Sequence, residues 1–159
     1  MAPDRIPLTG REERIWQAYL DATTLLKNHL DRRLRCDAEM RQISYAILAQ
    51  LAQAPQQRLR MAELAERART SPSRTSHAVA RLEGSGWVRR ELCDADRRGQ
   101  FAVLTEKGHD VLTRATPLHA AAVRQGLLGR LSLEQQHCLG EIMRIVAEGL
   151  LPTENGPDR

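Results

Sequence analysis

The side chains best suited to chemistry cluster in the middle of the chain. Ser71, Ser73, Arg74, Ser76, His77 and Arg81 supply hydroxyl, guanidinium and imidazole groups, and no acid occurs between residues 71 and 81. Thr75, Ala78, Val79 and Leu82 interleave them at i, i+3, i+4 and i+7, the spacing of one helix face. The polar set then shares the opposite face. Short hydroxyls, arginine and histidine on a protruding helix can hydrogen-bond base edges in a major groove. A merely solvated basic helix has the same composition, so the face alone does not decide. A second group follows at Asp96, Arg97 and Arg98, in a polar tip at residues 93–99 between two strand-forming runs at 87–92 and 100–104. A basic hairpin tip beside a groove-reading helix can enter the adjacent minor groove, and Asp96 is placed to pair with one arginine and set its angle.

These groups need a frame to hold them, and the frame is helical. Ser71 can cap the helix that carries the first group, with Pro72 at the first position, where its missing N–H costs nothing. Gly84 and Gly86 stop it. A short helix before it has Met61, Leu64, Ala65 and Ala68 on one face, with a turn at Arg69 and Thr70 between the two. Residues 58–60 read as extended. An earlier helix over 42–53 turns Ile43, Ile47, Leu48 and Leu51 inward.

The two ends of the chain also predict helices. Thr9 and Glu12 form a capping box that opens a long first helix, with Ile15, Tyr19, Ala22, Leu26 and Leu30 in phase. Trp16, Leu20 and Leu34 widen its apolar surface, so it needs more than one partner. Cys36 is expected past its end. Thr105 starts a fifth helix with Val111, Ala115, Leu118 and Ala122 in phase, and Pro117 should kink or interrupt it. Ser132 and Gln135 form a second capping box, ahead of a helix carrying Leu139, Ile142, Met143, Val146 and Leu150. Residues 1–8 and 152–159 read as flexible termini. The fold class is mainly α with a small β-hairpin.

Composition narrows the function. The chain has 159 residues, a net charge of +4 and 3% aromatic residues. Residues 58–98 hold ten arginines and six acids, so the whole positive excess sits in the middle of the chain. A localised basic surface suits a polyanion. No run of about 18 apolar residues is present, and the N-terminus lacks an apolar signal core, so the expectation is a cytoplasmic protein without membrane contact. Three scattered cysteines make neither a disulfide framework nor a zinc site, and the five histidines are dispersed. Nucleotide-binding, zinc-protease and serine-hydrolase motifs are absent, so no enzyme activity, metal or cofactor is expected.

The stretch from Ser71 to Gly108 closely resembles the MarR (multiple antibiotic resistance regulator) family. The shared features are a serine-rich helix ending in Arg81-Leu82-Glu83, then Gly86-Trp87-Val88, then a wing reading Asp94-Ala95-Asp96-Arg97-Arg98, then Leu104-Thr105 with Gly108. Each is weak alone; the ordered set is specific. More loosely, the resemblance covers residues 12–150. It implies a winged helix-turn-helix domain over 40–105 and a helical dimerisation region over 9–35 and 106–151. It further implies a homodimer on a near-palindromic operator in double-stranded DNA, and a repressor released by a small aromatic or lipophilic effector. By position, Ser71, Ser73, Arg74, Ser76 and His77 would face the major groove, with Arg81 on the same face. Arg97 and Arg98 would form the wing tip braced by Asp96, and Arg90 matches a position that is often arginine. The family pocket maps onto Trp16, Leu20, Tyr45, Leu48 and Leu112, which could equally be core. Arg69 stands where the family often has glycine, Ala62 where a Ser or Thr cap is usual, and Trp87 where leucine is usual. Two alternatives stay open: a thiol-based redox regulator using Cys93, which lies among arginines, and a helical protein-interaction module.

Overall fold

The computed structural model describes residues 6–93 and 96–151, and within them all side chains except those of Cys93, Asp96, Arg97 and Arg98. The chain divides into two compact units, Met1–Ala122 and Val123–Arg159.

In the first unit α1 (Gly10–Ala38) precedes α2 (Gln42–Gln53), β1 (Arg58–Arg60), α3 (Met61–Arg67), α4 (Pro72–Gly84), β2 (Val88–Cys93) and β3 (Asp96–Leu104). Then α5 (Glu106–Gly126) begins. The strands form one antiparallel sheet in the order β1-β3-β2. Leu59 pairs with Ala102, and Arg90 also pairs with Ala102 from the other side. The strands run further toward the hairpin tip than the sequence suggests, down to a pairing of Cys93 with Asp96.

The core lies where α2, α3, α4 and the sheet meet. Ile47, Leu48, Leu51, Leu64, Val79 and Leu82 are buried there, with Val88 and Leu104 from the strands and Leu112 and Ala115 from α5. On α4 the expected inward set is the buried set: Thr75, Ala78 and Val79 at 0% exposure and Leu82 at 2%. The one polar member is satisfied, because the Thr75 hydroxyl donates to the Ser71 carbonyl at 3.1 Å.

Local chain chemistry fixes the turns. Ser71 caps α4 by accepting from the Arg74 N–H at 3.3 Å. The α3–α4 turn closes with Thr70 N–H on the Ala65 carbonyl and Arg69 N–H on the Glu66 carbonyl, both at 3.0 Å. This is a Schellman cap, and it places Arg69 in the left-handed region at φ 51°. The same cap ends α4, with Trp87 N–H on the Leu82 carbonyl and Gly86 at φ 73°. Thr105 then locks α5 to that turn: its hydroxyl donates to the Gly86 carbonyl at 2.7 Å and accepts from Gly108 N–H at 3.0 Å. Gly108 has no room for a side chain, since a Cβ there would lie 2.0 Å from the Trp87 carbonyl oxygen. The Leu104-Thr105 and Gly108 signature thus joins the hairpin to the following helix.

Three expectations change. Pro117 does not interrupt α5, which is continuous through it. Pro117 and Thr113, whose carbonyl it leaves without an intrahelical donor, are both exposed, so water can take that bond. Cys36 lies inside α1, which extends to Ala38, and is exposed. Leu118, read as an inward position of α5, is 37% exposed.

The capping box of α1 forms as expected, and Leu34 is its one buried side chain. Ile15, Trp16, Tyr19 and Leu20 are exposed. The second unit holds the end of α5, a short 3-10 turn at Leu128–Arg130, and α6 (Leu133–Gly149). Ser132 and Gln135 form its capping box, and Gln136 donates to the Leu128 and Leu131 carbonyls at 3.0 and 3.2 Å. No side chain of α6 is buried, and Ile142, Met143, Val146 and Leu150 are exposed.

Candidate nucleic-acid interface

With its apolar face sunk in the core, α4 presents Ser71, Ser73, Arg74, His77 and Arg81 to solvent and keeps Ser76 half-buried. An open groove of about 640 Å³ runs beside this face. It is lined by Arg74, His77, Ala80 and Arg81 of α4 and by Arg41 and Ile43 at the start of α2. No carboxylate of the described residues lines it. The groove is therefore cationic, with donors and almost no acceptors.

Arg90, which the resemblance puts among the site residues, is half-buried. Its guanidinium faces inward, to the joint between α4 and the sheet. Nη2 donates to the Ser76 carbonyl at 3.1 Å, and Nη1 donates to Gln100 Oε1 at 3.2 Å. Nε sits 3.4 Å from Glu83 Oε2, within ion-pair range but without hydrogen-bond alignment. The Arg90 backbone N–H also donates to Glu83 Oε1 at 3.3 Å. One side chain thus ties the middle of α4 to both long strands. Gln100, one of its partners, is a residue that the sequence reading passed over, and Glu83 entered that reading only as part of the Arg81-Leu82-Glu83 signature. Arg41 was passed over too, although a signal was present: a cation at a helix start opposes the helix dipole.

The sheet's other edge is also braced. Arg58 lies 4.8 Å and Arg60 5.6 Å from the Phe101 ring centroid, at cation–π range. Glu91 pairs with Arg89 and, at 3.8 Å, with Arg58. The backbone of Asp96, Arg97 and Arg98 belongs to β3. Their side chains lie outside the described residues, as do residues 94 and 95, and so do the wing-tip roles expected for them.

The five residues mapped to a ligand pocket differ in burial. Leu48 and Leu112 belong to the core, at 0% and 8% exposure, whereas Trp16 and Leu20 are exposed on α1. Trp16 stacks on Tyr19 with centroids 5.6 Å apart. Tyr45 is half-buried and stacks on His119 of α5 at 4.2 Å. Burial lowers the His119 pKa below the ordinary imidazole value. Among the described residues there is no group of His, Cys, Asp or Glu able to hold a metal, and no helix long and apolar enough to cross a membrane.

Known proteins match this arrangement. The MarR family model matches residues 40–99. The transcriptional regulator HosA of Escherichia coli O127:H6 is 30% identical over 128 residues, covering 80% of this chain and 93% of HosA. The crystal structure of Sco3205, a MarR family transcriptional regulator from Streptomyces coelicolor in complex with DNA, is 56% identical, with 96% of each chain covered and a TM-score of 0.89. AbsC, a MarR family regulator from the same organism, is 36% identical over 91% of this chain and 97% of its own, with a TM-score of 0.83.

Proposed function

The chain belongs to the MarR family of transcriptional regulators, not to an enzyme family, and from that premise we propose that it binds double-stranded DNA as a homodimer. The domain over 40–105 reads a near-palindromic operator in the cytoplasm, with α4 in the major groove and the β2–β3 wing in the minor groove. The observation that carries this is the two-sidedness of α4. Its apolar face is fully buried, while Arg74, His77 and Arg81 stand exposed beside a groove that no carboxylate of the described residues lines. Sco3205 is a 56% identical relative with a DNA complex, which supports the same use here.

Dimerisation through 9–35 and 106–151 rests on the uncovered apolar side chains. Ile15, Leu25, Ile142 and Ile145 are each more than half exposed. Isolated helices with such faces are unstable in water unless something covers them. A repressor released by a small aromatic or lipophilic effector completes the proposal, and the half-buried Tyr45 ring offers the aromatic surface.

The test is a binding titration on a duplex selected from a random library. Arg74→Ala and His77→Ala should each weaken the selected duplex by about 1–3 kcal/mol per lost base contact, with a smaller effect on random duplexes. Variants that bind both duplexes like the parent would remove α4 from the reading role.

A further inference from the structure

We propose that Arg41, at the start of α2, grips the phosphodiester backbone of the duplex, making the α2–α4 groove a phosphate site beside the base-reading face. This rests on the DNA-binding reading above. The groove brings together three guanidinium groups, from Arg41, Arg74 and Arg81, and the His77 imidazole. Arginines elsewhere in the fold are commonly neutralised: Arg33 by Asp37, Arg67 by Glu63, Arg144 by Glu148. The three in the groove have no side-chain ion pair or hydrogen bond among the described residues.

Arg41 is the informative member because α2 gains nothing from it. It is the N-cap residue, its side chain caps no amide, and no acid follows in the first turn. A cation at that end faces the positive end of the helix dipole. The first amide, Gln42 N–H, is instead taken by Asp31 Oδ1 at 3.0 Å, and the Asp31 carboxylate also pairs with Arg35 at 2.7 Å. The nearby carboxylate is therefore already engaged, and the Arg41 charge is left facing the groove. An anion placed there meets the unpaired guanidinium. The groove is open and much larger than one phosphate ion, which favours a strand lying across it over a trapped free anion.

The experiment compares the full-length parent with Arg41→Ala and Arg41→Lys, as log affinity against log salt on one selected and one random duplex. Arg41→Ala should make the slope shallower by about 0.9 per protomer bound. Its deficit relative to parent should then narrow roughly three- to fourfold per lost contact between 50 and 200 mM salt. The loss should be equal on both duplexes, and Arg41→Lys should keep the slope. The thermal midpoint should not fall, because the exposed side chain has no partner to lose and its charge opposes the helix dipole. Unchanged slope and affinity would overturn the proposal, and a loss confined to the selected duplex would make Arg41 a base reader instead. Saturable competition by inorganic phosphate at constant ionic strength, lost in Arg41→Ala, would assign the groove to the free anion and overturn the backbone contact. A parent that binds no duplex would remove the DNA-binding reading first, and this one with it.

Discussion

Replacing Arg90 with alanine separates a strut from a DNA contact. The guanidinium makes two charge-assisted hydrogen bonds, to the Ser76 carbonyl and Gln100 Oε1, and one loose ion pair with Glu83. Such bonds contribute roughly 1.5–3 kcal/mol each when well shielded. Here the Arg90 side chain is 25% exposed and Glu83 44% exposed, so water competes. About 1 kcal/mol per hydrogen bond and little for the pair gives a total of about 2 kcal/mol. For a chain of this length that lowers the thermal midpoint by roughly 4–8 °C. Arg90→Lys should recover little of it, because one ammonium cannot reach acceptors on both α4 and β3 with the fork geometry of a guanidinium. DNA affinity should fall as well, since the wing would no longer be held at a fixed attitude to α4. The slope of log affinity against log salt should stay at the parent value, because no phosphate contact is lost. Differential scanning calorimetry and salt-titrated binding on the same preparations read both quantities. An unchanged midpoint together with a slope shallower by about 0.9 per protomer would refute the reasoning and make Arg90 a phosphate contact.

Three further outcomes follow from the turns and from α5. Gly108→Ala forces a Cβ against the Trp87 carbonyl and the Leu104 side chain, at 2.0 and 2.9 Å, and should cost about 3 kcal/mol or more, read as a fall in the urea midpoint; wild-type stability would mean that the junction of β3 and α5 yields easily. Arg69→Gly relieves a left-handed arginine at φ 51° and should raise stability by about 0.5–1 kcal/mol, after the greater chain entropy of glycine is subtracted; a loss of stability would show that the Arg69 side chain contributes more than its backbone costs. Burial lowers the His119 pKa below the ordinary imidazole value, so the unfolded chain binds the proton more readily. Its stability contribution is therefore full above about pH 6.5 and is lost as pH falls through the lowered folded value. Thermal midpoints measured from pH 7.5 to 5 should drop less for His119→Gln than for the parent, and parallel curves would exclude this group.

Much of the frame was readable in the chain because its causes are local. Capping boxes at Thr9–Glu12 and Ser132–Gln135, the Ser71 cap, and the i, i+3, i+4, i+7 face of α4 depend on residues within about two helical turns of each other. The resemblance set Arg69 where glycine is frequent, and Arg69 is left-handed. The family resemblance added the order of helix, wing and Leu104-Thr105 with Gly108, and the Gly108 contact with Trp87 shows why that signature holds the junction together.

The rest required the tertiary structure, because it depends on residues far apart in sequence. Arg90 reads as another exposed basic residue until Ser76, fourteen positions away, and Gln100, ten positions away, are brought to it. Arg41 acquires its neighbours Arg74 and Arg81 only when α2 and α4 pack together. The apolar residues of α1 and α6 look like core by periodicity, yet periodicity states only that a face is apolar, not what covers it. Leu48 and Leu112 found cover within the chain, while Trp16, Leu20 and Ile142 did not. Sequence by itself determined which faces and caps exist; tertiary packing decided which charges are used up inside the fold and which are left for DNA, because a guanidinium takes whichever acceptors the fold brings within about 3 Å.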